Sequence, residues 1–250
     1  RIALTENVTS GCVLPLWGIP FSRGDRLLIS DCEHPGVIAA CKEIARRQNL
    51  QIDLLMVTQF REGLNKQRDT DQQILKAIEQ KLTKKTRLVV ISHVLWNTGA
   101  IMPIDLIGKH LAALPNQPYL LVDAAQSFGQ IPIKEAVSYS DIYAFTGHKW
   151  AFGPEGLGGV VVSERVLNEV HPTMIGWRSL KNENLLNKNT LENFHKDSRK
   201  FEIATSCIPL LAGLRCSLEL LQKEGSEINR LDKIRNLSGE FWSILRKQKN

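Results

Sequence analysis

Nowhere in the 250 residues is there an apolar run of the roughly 18 residues that a membrane crossing needs. The longest greasy stretches, 119–122 and 159–162, have the length of a strand. Cysteine is sparse, and its five positions (Cys12, Cys32, Cys41, Cys207 and Cys216) are irregularly spaced and odd in number. That pattern argues for reduced thiols in a cytoplasmic protein rather than for a disulfide framework. Cys32 and His34 make one short pair of metal-binding types, but no second pair follows at ligand spacing, so no metal is expected. Lys and Arg exceed Asp and Glu by 32 to 26, yet the basic residues form no stripe and are not interleaved with aromatics. Nucleic acid is therefore not an expected partner. There is no basic-then-apolar leader and no initial Met, and the last residues stop within a helical pattern. The expectation is that both ends are cut.

What is present is an ordinary globular composition, 43% hydrophobic and 23% charged, on a chain long enough to bury a sizeable core. Short apolar runs alternate with helical patterns, which predicts an α/β domain with a mostly parallel sheet and helices on both faces. Strands are expected at 26–30, 53–57, 87–92, 119–123, 142–146 and 159–163. Between them, 36–47, 71–82 and 104–114 carry apolar residues at three- and four-residue spacing, as amphipathic helices do. Residues 180–200 are polar, rich in Asn and Lys and without periodicity, and are expected to run over the surface or along a subunit interface. Helices are expected at 210–223 and 226–246, with Gly225 as the break. This divides the chain into a large domain over 1–225 and, over 226–250, a helix leading into a further domain.

Ligands of such sheets bind beyond the carboxyl ends of the strands, and four polar segments fall at those ends. In Leu121-Val122-Asp123-Ala124-Ala125-Gln126 an apolar strand ends in a carboxylate, with an amide three residues later. Asp123 is either the cap of the next turn or an acid set against a heteroaromatic cation. In Phe145-Thr146-Gly147-His148-Lys149-Trp150 a strand runs into a turn bearing hydroxyl, imidazole and amine together. Lys149 is either a solvated lysine or, among Trp150, Phe152 and a glycine-rich stretch, an amine suited to covalent work; Thr146 and His148 could donate to a phosphate. Thr5-Glu6-Asn7-Val8-Thr9-Ser10-Gly11 reads as a helix start, whose free N–H groups suit an anion as well as a plain cap. In Asp31-Cys32-Glu33-His34-Pro35, His34 is either a surface histidine or a ring placed to stack on a flat cofactor.

Taken in this order, with Asp123 preceding Lys149 by 26 positions, the four segments resemble the class V aminotransferase family of fold type I pyridoxal-phosphate (PLP) enzymes, which includes the cysteine desulfurases. The likeness runs over residues 1 to about 208. Within that family, the Ser92–Gly99 stretch (Ser-His-Val-Leu-Trp-Asn-Thr-Gly), Gly176-Trp177-Arg178-Ser179 and the segment from Lys200 to Ser206 most resemble the cyanobacterial cysteine/cystine C–S lyases. The resemblance implies that Lys149 holds PLP as a Schiff base, that Asp123 pairs with the pyridinium and that Gln126 meets the phenolic oxygen. It implies that His34 stacks on the ring and that Val8, Thr9, Ser10, Thr146 and His148 hold the phosphate. Asn97 is the polar residue expected near the phenolic oxygen or the substrate. Trp177 and Arg178 are expected at the active site of a partner subunit, since such enzymes are typically homodimers.

The same resemblance implies an amino acid substrate, cysteine or cystine, whose α-proton passes to Lys149 before a sulfur group leaves, giving pyruvate and ammonia. Desulfuration onto an enzyme cysteine, transamination or epimerisation could run on the same cofactor frame. A non-catalytic α/β binding domain is the reading from another class, and it predicts loss of Lys149 or Asp123, both of which are present.

Overall fold

The computed structural model describes residues 1–61, 67–182 and 193–248. Its sheet has seven strands: β1 (Ile2–Thr5), β2 (Arg26–Ser30), β3 (Gln51–Leu55), β4 (Thr86–Ser92), β5 (Tyr119–Asp123), β6 (Ile142–Thr146) and β7 (Gly158–Val162). Their order is β1-β7-β6-β5-β4-β2-β3. The pairs from β3 to β6 are parallel, while β7 runs antiparallel to both β6 and β1. The sheet is mostly parallel, as the alternation of elements predicts, and neighbouring parallel strands require helices to return the chain.

Each central strand is buried on both faces, and alternate residues enter different cores. Leu27, Ile29, Leu88, Val90, Leu121 and Ala144 pack against α1 (Val8–Leu16), α2 (Pro35–Gln48) and α6 (Glu164–Glu169). Leu28, Val89, Ile91, Leu120, Val122, Tyr143 and Phe145 pack against α3 (Gln67–Lys81), α4 (Ile104–Ala113) and α5 (Lys134–Ser138). That explains why these strands read as continuous apolar runs.

Two expectations are corrected, and three short elements join the predicted ones. The third strand ends two residues early, because the Asp31 carboxylate takes the Val57 and Thr58 N–H groups (2.7 and 3.1 Å) that would have continued the ladder. The short edge strand β1 and the helices α5 and α6 carry too little periodicity to be seen in sequence. The stretch 180–200 lies partly outside the described residues, at 183–192, and its described end is not a surface excursion. Phe194, Ser198 and Lys200 are buried, and Ser198 Oγ donates to Ile2 O at the β1 edge.

After that stretch, α7 (Ile208–Lys223) packs Leu214 and Leu221 against Ala151 and Leu157, just behind the turn that carries Lys149. Gly225, at φ 116°, turns the chain into α8 (Glu227–Lys247), none of whose residues is buried. No helix among the described residues is long and apolar enough to cross a membrane.

Candidate active site

β4, β5 and β6 deliver Ser92, Asp123 and Thr146 to one rim of the sheet, and Asp123 is in register with both Ser92 and Ala144. Asp123 is 4% exposed. Its Oδ1 accepts the Ala125 N–H at 2.8 Å, the one hydrogen bond the carboxylate makes among the described residues. Burial raises its pKa; the Ala125 N–H and the electrostatic influence of Lys149 and His34 pull the other way. The structure thus brings His34, Asp123 and Lys149 within electrostatic reach although 115 residues separate the first from the last.

Lys149 sits half-buried on a tight turn after β6. Gly147 N–H donates to Leu157 O (2.9 Å), and Gly153 N–H returns to Gly147 O (2.8 Å), closing the turn on itself. A side chain at Gly153 would meet Leu214 Cδ1 at 2.6 Å and Gly147 O at 3.1 Å, so any larger residue there would have to displace the Leu214 side chain of α7. Thr146 Oγ1 and His148 Nδ1 are 2.8 Å apart, and Trp150 Nε1 donates to Gln126 Oε1 at 2.9 Å.

The start of α1 closes the same rim. Asn7 caps it by accepting the Ser10 N–H at 3.0 Å, while the N–H groups of Val8 and Thr9 make no hydrogen bond among the described residues. A Cβ on Gly158 would stand 2.5 Å from Phe145 O and 3.0 Å from Asn7 C, so this glycine lets the helix start rest on the sheet.

At the turn after β2, His34 is the N-cap of α2. Its Nδ1 accepts the Gly36 N–H at 3.2 Å, and its ring meets Trp96 edge-on at 6.3 Å. Exposed Asn97 donates to Cys32 Sγ at 3.5 Å. Trp177 and Arg178 are not brought to this group. Arg178 donates through Nε and Nη2 to Glu202 (3.0 and 2.8 Å), whose other oxygen accepts Leu4 N–H at the β1 edge.

Two buried charged groups carry no sign of their burial in the sequence. Glu33, 3% exposed, accepts from Ser30 Oγ, Ser92 N–H and Ser92 Oγ, tying the His34 turn to the end of β4. An acid beside a histidine in a strand-to-helix turn carries no sequence mark of burial. Lys200 points its Nζ at the Val166, Leu167 and Val170 carbonyls at the end of α6, and burial lowers its pKa to about 8. A depressed lysine invites a catalytic reading. Its three acceptors make Lys200 a helix cap instead, with its charge facing the negative end of the helix dipole.

Burial lifts the Glu33 carboxyl from 4.5 to about 7, outweighing the Ser30 and Ser92 hydrogen bonds; the charge of Asp123 adds to the rise. A raised acid stabilises the fold fully below pH 4.5 and loses that contribution as pH climbs through about 7. Its size is on the order of 3 kcal/mol. Denaturant unfolding at about pH 5 and about pH 8 should therefore show a smaller pH loss in Glu33→Gln than in the parent. Equal losses in the two proteins would mean that Glu33 is charged throughout.

Comparison with known proteins agrees with this geometry. The family model described as aminotransferase class-V matches residues 2–243. A probable cysteine desulfurase of Pyrococcus abyssi is 26% identical over 93% of this chain and 54% of its own length. A structure of the cystine C–S lyase C-DES with its reaction product cysteine persulfide superposes with a TM-score of 0.81 at 37% identity, covering 92% of this chain and 58% of that one. A C-DES mutant with glycine covalently linked to the PLP cofactor gives 0.85 at 35% identity, over 97% and 60%. The chain spans just over half the length of these relatives. A family match over nearly the whole chain, on a sheet whose rim gathers the motif residues, establishes that the chain belongs to the class-V aminotransferase family.

Proposed function

We propose that this chain is the cofactor-binding part of a PLP-dependent enzyme that cleaves the C–S bond of cysteine or cystine by β-elimination. The observation that carries the reading is Asp123, a buried carboxylate with a single hydrogen bond among the described residues, within electrostatic reach of Lys149 and His34. Burial disfavours its charge unless a cation stands against it, and a pyridinium nitrogen is such a cation. Two further features fit the same group: the unspent N–H groups of Val8 and Thr9 beside Ser10, Thr146 and His148 suit its phosphate, and Gln126 suits its phenolic oxygen. Bound PLP would supply an aldehyde that joins the substrate amine and a ring that draws off electrons.

The chain's own residues would do the rest. Lys149 Nζ would hold the cofactor and, once displaced by substrate, take the α-proton. Asp123 would keep the proton on the ring nitrogen. His34, propped by Trp96, would offer a flat ring from the turn after β2, and Asn97 a polar group at the neighbouring turn. Elimination needs no acceptor thiol, and two of the three buried thiols are poorly suited to that role: Cys41 is pushed up to about 12 by burial, and Cys12 is raised as well. The identity to C-DES, 35% and 37%, is above the 31% reached by a cysteine desulfurase of Nostoc, and this supports the lyase over sulfur transfer.

The same reading assigns residues 1–225 to the large domain and 226–250 to a helix leading onward. It is supported by α8, which exposes Ile228, Leu237, Phe241 and Trp242 with nothing buried. The exposed run Met174, Ile175 and Trp177, with Arg178 beside it, suits an interface between two copies. Five free cysteines suit a reducing cytoplasm.

Two assays test the proposal. Borohydride reduction of the cofactor-loaded protein should fix the pyridoxyl group on Lys149; a label on Lys109 or Lys134 would sink it. With cystine, the carbon product should be pyruvate. Alanine as the main product would replace the lyase with a desulfurase, and amino transfer dependent on a keto acid would replace it with a transaminase.

A further inference from the structure

The hydrogen bond between Trp150 and Gln126 settles more than a contact. An indole nitrogen can only donate, so the Gln126 oxygen must face Trp150 and its NH2 group must face away. The backbone under Gln126 is fixed independently of this bond. Ser127 Oγ lies 2.9 Å from Tyr143 OH, which lies 2.9 Å from His93 Nδ1, and Phe128 stacks on Phe145 at 4.2 Å. What remains free is the end of the glutamine side chain, and no other hydrogen bond is made to its amide among the described residues.

We infer that Trp150 is a positioning residue that orients the Gln126 amide, so that an N–H rather than a carbonyl faces the phenolic oxygen of the cofactor. The inference rests on the PLP reading of the site. An amide turned the wrong way would set its own oxygen against an oxygen anion. Turned the right way, it donates and draws charge off that anion. The bond also joins the turns after β5 and β6, one carrying Asp123 and the other Lys149, so the two arms of the site are held in one register. No feature of the sequence pairs Trp150 with Gln126, which lie 24 positions apart.

Trp150→Phe keeps an aromatic ring and removes only the donor. In the PLP-loaded protein, Asp123, Lys149, His34 and His148 stay in place, so a change in the pH midpoint of the visible absorbance reads the environment of the phenolic oxygen. The midpoint should rise by about half a unit to one unit, as expected when one donated hydrogen bond is lost. Gln126→Leu should raise it as much, and the double variant no further, because both changes remove the same donation. In the protein without cofactor, Gln126→Leu should also shift the Trp150 indole N–H resonance, a readout that does not depend on Trp150→Phe folding. An unmoved midpoint in Trp150→Phe, or additive shifts in the double variant, overturns the inference even when borohydride still labels Lys149. Loss of Lys149 labelling in the parent protein overturns the PLP reading, and this inference with it.

Discussion

Lys149→Ala should lower turnover of cystine by at least about a thousandfold, within the range that loss of a positioned acid–base group produces and before the loss of the covalent link is counted. Cofactor should still bind, held by Asp123, Gln126 and the start of α1, but borohydride should no longer attach it to the chain. The comparison that gives this result its meaning is Lys200→Met. Lys200 has the depressed pKa, about 8, that is often taken to mark a reactive amine, yet its Nζ is spent on the carbonyls at the end of α6. Removing it should cost stability, because those carbonyls lose their donor, while the label stays on Lys149. Measuring both variants by mass spectrometry of the reduced adduct and by pyruvate formation separates the two lysines. Turnover by Lys149→Ala within tenfold of the parent would end the assignment.

Asp123→Asn should retain cofactor and lose activity by about a hundredfold, the equivalent of roughly 3 kcal/mol in the transition state. The size follows from the geometry. The carboxylate is buried, accepts only the Ala125 N–H among the described residues, and has Lys149 and His34 opposing the effect of burial on its charge. Asparagine can still accept from Ala125, so the turn should survive. It cannot hold a proton on a ring nitrogen by charge. Steady-state kinetics with cystine, paired with a thermal melt, distinguish the two roles: unchanged kinetics with a lowered melting point would make Asp123 a turn cap.

The sheet was legible because its central strands are buried on both faces. Such strands leave unbroken apolar runs, as in Tyr119–Asp123 and Ile142–Thr146, and their ends are marked where polarity returns. Asp123, Lys149, Thr146 and His148 all stand at such ends, so their candidacy could be read one strand at a time. The edges were less legible. β1 is four residues long and gains its place by pairing with β7 and by bonds to Ser198 and Glu202, and β3 stops where Asp31 reaches across to Val57 and Thr58. Pairing of that kind depends on residues far along the chain, and no local window contains it.

By itself, then, the sequence determined the α/β class, the strand ends and the types of residue at them, because these follow from local periodicity and from where apolar runs give way to charge. Only the tertiary structure decided which of those residues meet. It brings His34 and Lys149 within electrostatic reach of a buried Asp123, turns the Gln126 amide with Trp150, ties the His34 turn to Ser92 through Glu33, and pairs Arg178 with Glu202. The reason is physical. Desolvation and hydrogen-bond geometry are properties of neighbours in space, and the sheet order β1-β7-β6-β5-β4-β2-β3 makes neighbours of residues that the chain keeps far apart.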